Sequence, residues 1–315
     1  MKRVVILGGS GFFGSLIAEQ LRAAGVTPII ASRTRGDIRF DANNPADLRA
    51  NLKQRDLVID AAGPFQTRTL ALVEAARTIG FDIVDLSDSP EYTSMIYEHE
   101  APIGAAGIRV LTACSALSAV SALVLSMSGV EEPRRLTAYL APASRLTANP
   151  GTTGSMLRLY IGDPRTIDFP KPLGKRSGIT VKSVDSITLP RKFWFLRSTE
   201  LVVDTQIPLM NTMLRSPLVR SIASRYEKKA LDLVHRIGPK DGVLAYEIAS
   251  TAAHKHVMFT GAKSYMLAVL PAVQAALAIA GGRFAHRGVV EPTDQIVQAD
   301  FLDAVKGEGI TITVA

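Results

Sequence analysis

The chain has 315 residues, 47% hydrophobic and 21% charged, which is enough apolar matter for a large core and too little charge for disorder. With 36 Lys and Arg against 29 Asp and Glu it carries +7, favouring anionic ligands; the basic residues are scattered and no aromatic-rich motif accompanies them, so nucleic acid is not an expected partner. The single cysteine, Cys114, excludes an internal disulfide and a Cys-based zinc site, and a strand-like start without a signal-peptide pattern points to the cytoplasm.

Met1-Lys-Arg-Val-Val-Ile-Leu7 predicts a buried strand running into the glycine-paced turn Gly8-Gly-Ser-Gly-Phe-Phe-Gly14. Gly8 permits a sharp exit from the strand, Gly11 lets the backbone approach a pyrophosphate, and Gly14 lets the next helix pack closely on the sheet. The loop, with Ser10, Phe12 and Phe13, is therefore the expected dinucleotide cradle. Phe13, Leu16, Ile17 and Leu21 share one helical face, and Gly25 stands where a helix end takes a left-handed residue. Strands are predicted at 26–31, 37–40, 57–61, 81–86 and 108–113, with helices at 45–53, 69–79 and from about residue 91. Such alternation implies parallel strands joined by right-handed crossovers, an α/β fold with a Rossmann-type doubly wound sheet.

After Glu131-Glu132-Pro133 the texture changes. Isolated strand candidates lie at 134–140, 186–193, 243–250 and 255–260, with helices at 207–214 and 217–236, which predicts an inserted α+β domain for substrate binding or dimerisation. The apolar run 265–280 is too short to span a bilayer and is broken by Pro271 and Gln274, so no transmembrane segment is expected. It reads as a core helix, with a membrane-surface contact as the alternative. The expected division is 1–130 for the dinucleotide domain, 131–262 for the α+β domain, and 263–315 for a helix and tail returning to the first.

The end of the second strand decides the cofactor. An NAD-preferring domain places an acidic residue there, whereas this chain has Ala31-Ser32-Arg33-Thr34-Arg35, which favours NADP: Arg33 pairs with a 2′-phosphate while Ser32 and Thr34 donate hydrogen bonds. Asp41 is a candidate for the adenine amino group, although Asp-Ala-Asn-Asn is also turn chemistry. Ala61, Ala62, Gly63, Pro64 and Phe65 close the fourth strand with small residues and a turn, leaving room for the cofactor to lie across it. Asp85 and Ser87 end the fifth strand, and Ser115 follows the sixth; these three are the candidate catalytic residues. Asp88 reads equally as a site residue or a helix cap. The segment 112–120 is expected to run straight into a helix with Ser115 near its start. No tyrosine is followed four residues later by lysine, which excludes the short-chain dehydrogenase mechanism. His254 and His256 share one strand face without a third ligand in view, so no metal site is expected, and Cys114 reads as buried packing.

Gly8-Gly-Ser-Gly-Phe-Phe-Gly14, Ala61-Ala-Gly-Pro-Phe65 and Ile83-Val-Asp-Leu-Ser87 together resemble the saccharopine dehydrogenase-like family of NADP-binding oxidoreductases. Asn149-Pro-Gly-Thr-Thr-Gly-Ser155, the run from Tyr265 and Gly288-Val-Val-Glu-Pro292 are similar to that family's substrate-domain opening, closing helix and tail. The resemblance implies a Rossmann domain interrupted by an α+β domain, hydride transfer to or from a C=N or C=C bond of a small-molecule substrate, and a homodimer. The departure is Thr112-Ala-Cys-Ser-Ala-Leu-Ser-Ala-Val120, where the family commonly has a Gly/Pro-rich turn. Three readings stay open: an NADP-dependent reductase, a sensor that binds NADP without turnover, and a lipid-associated protein.

Overall fold

A computed structural model describes residues 2–158 and 160–315. In chain order, the first part contains β1 (Val4–Leu7), α1 (Phe12–Ala23), β2 (Ile29–Ser32), β3 (Ile38–Arg39), α2 (Pro45–Asn51), β4 (Leu57–Asp60), α3 (Ala71–Ile79), β5 (Asp82–Asp85), α4 (Pro90–Glu98), α5 (Glu100–Ala105) and β6 (Arg109–Leu111). The middle contains α6 (Ala119–Met127), β7 (Arg135–Ala141), α7 (Ser144–Thr147), α8 (Pro150–Arg158), β8 (Ile161–Asp168), β9 (Lys175–Val181), α9 (Asp185–Thr188), β10 (Ser198–Val203), α10 (Met210–Leu214), α11 (Pro217–Arg225), α12 (Glu227–Ile237), β11 (Gly242–Ala249) and β12 (His254–Gly261). The chain closes with α13 (Leu270–Ala280), β13 (Gly288–Val289), α14 (Gln298–Gly307) and β14 (Thr311–Val314).

Two compact units result: Met1–Val120 with Leu267–Leu302, and Ser121–Met266 with Asp303–Ala315. The first holds a parallel sheet in the order β13-β6-β5-β4-β1-β2-β3, the doubly wound arrangement with one short strand added beside β6. Its inner strands, β1, β4 and β5, are buried at every position, as a parallel sheet covered on both faces requires. Local chemistry sets the helix starts. Asn44 caps α2 by accepting from the Ala46 and Asp47 N–H groups, with Pro45 at the first position, and Ser89 caps α4 by accepting from Tyr92 N–H, with Pro90 following. Gly80, left-handed at φ +89°, ends α3. The apolar helix α13 packs on α1, β4 and β5 and is buried along most of its length. Among the described residues no helix is long and apolar enough to cross a membrane.

The second unit is a mixed sheet, β14-β12-β11-β7-β10-β9-β8, in which only β7 and β10 run parallel. Several expectations change here. Residues 186–193 do not form a strand: α9 and a 3-10 turn at Leu189–Arg191 occupy them, because Ser183 Oγ accepts from Asp185 N–H to start a turn and Pro190 has no N–H to give a ladder. Four strands of this sheet, β8, β9, β10 and β14, were not legible. β8 and β9 form a charged hairpin at the sheet edge, where Pro164 is tolerated, and β10 joins them to β7. Residues 217–236 break at Tyr226 into α11 and α12, and the helix expected at 207–214 starts only at Met210. The terminal segment is divided, since β14 pairs with β12 in the second sheet.

The tightest backbone approach gives a stability prediction. An added Cβ at Gly14 would lie 2.3 Å from Gly8 O, whereas at Gly11, extended at φ −82°, it would meet only Gly8 O at 3.1 Å. Gly14→Ala should lower the urea midpoint by an amount equivalent to about 1–3 kcal/mol although alanine is the better helix former, and Gly11→Ala should change it by less than about 1 kcal/mol. Equal midpoints for the two variants would refute this packing.

Candidate functional site

Carboxyl ends of parallel strands are where a doubly wound sheet offers backbone groups and unpacked space. At the end of β1, Gly8 takes φ +70° and donates its N–H to Ala31 O at 2.8 Å. A Cβ there would lie 2.7 Å from Ala61 O, so the small end of β4 and the glycine of β1 are fitted to each other. Gly11 is the N-cap of α1 and no side chain caps that end. The positive end of a 12-residue helix thus carries no side-chain cap. Ser10 and Gly11 are exposed, while Phe12 and Phe13 are half-buried and pack edge to face at 5.2 Å. A Cβ at Gly11 would meet Gly8 O at 3.1 Å and nothing else within 4 Å, so the loop is open in front of that residue.

At the end of β2, Arg33, Thr34 and Arg35 are exposed. Ser32 shapes this loop: its hydroxyl donates to Arg35 O and accepts from Arg35 N–H at 2.9 Å. The nearest downstream acid, Asp37, accepts from Ile30 N–H at 2.8 Å, which fixes it to the loop. Asp41 likewise accepts from Asn43 N–H at 2.9 Å, the turn chemistry its sequence suggests.

The end of β4 holds a pair that sequence reasoning missed. Asp60 is buried and ion-paired with Arg68, itself buried, whose Nη1 also donates to Asn43 Oδ1 at 3.0 Å. Burial alone would lower the Arg68 pKa, and Asp60, together with Tyr92 and Asp85, raises it above the ordinary value. Spacing offered no signal, because the seven residues between them bend through Gly63-Pro64 and the 3-10 turn Phe65–Thr67. Ala61, Ala62 and Pro64 are partly accessible and Gly63 is exposed, but Phe65 is buried against Tyr92 at 5.7 Å between ring centroids, so it supports the site from beneath.

Asp85, at the end of β5, is fully buried. Its Oδ1 accepts from Ser87 N–H (3.0 Å), Ala113 N–H (2.9 Å) and Thr112 Oγ1 (3.2 Å), while Oδ2 has no hydrogen-bond partner. Among the described residues no Lys or Arg is in ion-pair contact with it. Burial, with the Asp60 charge adding to it, raises the carboxyl to about 7 against the pull of those donors. The Tyr92 hydroxyl is also buried without a partner, and burial, then Asp85 and Asp60, push its pKa well up. Tyr92 is the second residue the sequence did not assign; it lies in the first turn of α4, and only its contact with Phe65 brings it to this end of the sheet.

The other two candidates are occupied. Ser87 Oγ accepts from Ser89 N–H at 3.1 Å and ties the β5–α4 connection together, and Ser115 Oγ donates to Ala268 O at 2.9 Å. Asp88 accepts from Gln66 Nε2 at 3.1 Å, and Ser89 is the cap of α4, so the capping role belongs to the serine. Segment 112–120 does not run straight into a helix. Ala113 and Ser118 are left-handed at φ +52° and +70°, Cys114 and Ser118 form an isolated bridge, and α6 begins only at Ala119. This compact turn lets Ala113 and Cys114 give both their N–H groups to Asp85, at Oδ1 and at the main-chain carbonyl. Cys114 is fully buried, and burial, then Asp85, push its thiol well above the ordinary range, which removes it as a nucleophile.

Residues 4–111 match the family model of the saccharopine dehydrogenase NADP binding domain. The trans-acting enoyl reductase of Mycobacterium leprae (strain TN) is 29% identical over 131 residues, a match covering 35% of this chain and 31% of that protein, so most of the relative lies outside it. Two solved structures align over nearly the whole chain at low similarity. Biliverdin reductase from Synechocystis sp. PCC 6803, in complex with biliverdin and NADP+, is 12% identical with TM-score 0.40, covering 97% of this chain and 98% of that one. A Thermus thermophilus dehydrogenase in complex with NAD and UDP-GlcNAcA is 12% identical with TM-score 0.41, covering 96% and 94%. The first unit is thus a dinucleotide-binding domain of an oxidoreductase type, as the sequence resemblance implies.

Asp85 makes stability depend on pH in a definite direction. Its folded-state pKa of about 7 lies above the unfolded value near 4. Its contribution is therefore most favourable below the unfolded pKa and is lost as pH rises through the folded one, on the order of 4 kcal/mol at full extent. Asp85→Asn, which mimics the protonated carboxyl, should gain stability over the unsubstituted protein as pH rises from about 4 to 8. A difference in urea midpoints that stays flat across this range would contradict the raised pKa.

Proposed function

We propose that this protein is an NADP-dependent oxidoreductase that reduces a C=C or C=N bond of a small molecule, with the C=C of an enoyl group the first choice. The observation that carries the reading is the cradle: an uncapped helix start behind Gly8, Gly11 and Gly14, in front of which a Cβ at Gly11 would intrude. Gly8, Ser10, Gly11, Phe12, Phe13 and Gly14 would hold the pyrophosphate, Ser32, Arg33 and Thr34 the 2′-phosphate, Asp41 the adenine side, and Ala61 to Phe65 the floor under the nicotinamide half. NADP in its reduced form supplies a hydride when bound. The accompanying proton is the task of Asp85, whose free Oδ2 and pKa of about 7 allow it to hold and release a proton near neutrality. Ser87 and Ser115, with hydroxyls already bonded, keep the strand ends in place around it. The name of the mycobacterial relative supports the enoyl choice.

A sensor without turnover is favoured by one observation, the complete burial of Asp85. The lipid-associated reading loses its basis, because the apolar helix that suggested it, α13, is buried in the first unit.

Fluorescence titration should show NADPH binding at least about tenfold more tightly than NADH, the preference disappearing in Arg33→Ala because a charge-assisted contact is lost. Gly11→Val should abolish binding while leaving the far-UV circular dichroism native. Equal affinities for the two nucleotides would remove the NADP assignment. In stopped flow with enoyl and imine substrates, Asp85→Asn should slow NADPH oxidation by about 100-fold or more. NADPH binding without oxidation of any substrate would favour the sensor.

A further inference from the structure

The sequence offers His254 and His256 on one strand face and no third ligand. The register supplies one. In the antiparallel pair β11–β12, Glu247 stands directly opposite His256, and His254, two residues earlier on β12, shares its face. One donor atom from each of the three lies within 4.8 Å of the others. His254 Nε2 is 3.0 Å from Glu247 Oε1, and the two imidazole rings are edge to face at 4.6 Å.

We propose that Glu247, His254 and His256 form a binding site for a divalent transition-metal ion of the zinc type on this face of the second sheet. A histidine–carboxylate pair alone accounts for His254 and one oxygen of Glu247. It leaves His256 unexplained: that residue is 8% exposed, its Nε2 has no hydrogen-bond partner, and its ring is boxed in edge-on by Phe169 at 5.4 Å. A buried ring nitrogen without a partner is uncommon unless an ion or ligand meets it. Glu247 Oε2 also lacks a hydrogen bond, as does the hydroxyl of Thr137, the buried residue opposite Glu247 on β7.

Ligand chemistry selects the ion. Two imidazoles with one carboxylate suit zinc, nickel or copper and not magnesium or calcium, which take oxygen ligands. Tetrahedral zinc with bonds of about 2 Å places its ligand atoms about 3.3 Å apart, near the 3.0 Å between His254 Nε2 and Glu247 Oε1. Three protein ligands leave a fourth position for water or an exogenous anion. The competing cation is Arg135, whose guanidinium is 3.7 Å from Glu247 Oε2 and whose side chain is 42% exposed, free to swing aside. A bound ion would tie β11 to β12 across the Ser250–Ala253 turn.

The test uses full-length protein prepared without a histidine tag and stripped with a chelator. Zinc chloride is titrated by calorimetry and cobalt chloride by visible absorption. One Zn2+ per chain, a Co2+ spectrum of a low-coordinate nitrogen–oxygen site, and a raised melting temperature with zinc are expected. His254→Ala, at an exposed position that the fold does not need, and Glu247→Gln should each weaken binding by about tenfold or more. Both variants should melt without metal as the unsubstituted protein does, or the more exposed His254→Ala alone serves as the test. No zinc binding by the unsubstituted protein, or undiminished affinity in His254→Ala, would overturn the site.

Discussion

Backbone packed against backbone at the end of β1 is the constraint on which the nucleotide half depends. Gly8 must turn left-handed, reach the Ala31 carbonyl and still leave room for the end of β4, while Gly14 sits so near the Gly8 carbonyl that no side chain fits. These contacts bring the start of α1 down onto the sheet and leave its first amides in front of Gly11. Nothing about that arrangement uses side-chain chemistry. It works because Gly8 and Gly14 lack a Cβ where other backbone atoms already stand.

The carboxylates of the first sheet show how one residue type takes different roles at its two ends. At the amino ends, Asp56 pairs with Arg3, and Asp82 with Lys2 and Arg109. These pairs close the bottom of the sheet. At the carboxyl ends, Asp60 is matched by the buried Arg68, but Asp85 has only neutral donors, all on one oxygen. A buried acid stabilised on one side and left bare on the other is poised between charged and neutral forms. The left-handed residues Ala113 and Ser118 belong to the same device, because the turn they make delivers the Ala113 and Cys114 amides to Asp85.

In the second unit the informative pairing is across strands. His254 and His256 are visible as an alternating pair, whereas Glu247, Thr137 and Glu200 come to the same row only through the registers of β11, β7 and β10. The β8–β9 hairpin then brings Phe169 against both Tyr139 and His256. Residues far apart in the chain thus become one partly apolar, partly polar surface.

By itself the sequence determined the parallel sheet, the glycine-paced turn after β1, the basic loop after β2 and the buried nature of Cys114, because each is written in local terms: period, glycine spacing, caps and the run of apolar residues. Residues 134–140, 243–250 and 255–260 were legible for the same reason. The edge strand β8 was not, since an edge position tolerates proline, glycine and charge and so loses the pattern that marks a strand. Only the tertiary structure decided that the Ser115 hydroxyl is spent on the remote Ala268 carbonyl, that Phe65 is buried, and that Arg68, Tyr92 and Glu247 stand beside acidic or histidine partners. The reason is physical: which polar atoms are satisfied and which are left over depends on distances set by chain segments remote in sequence, and no spacing rule records them.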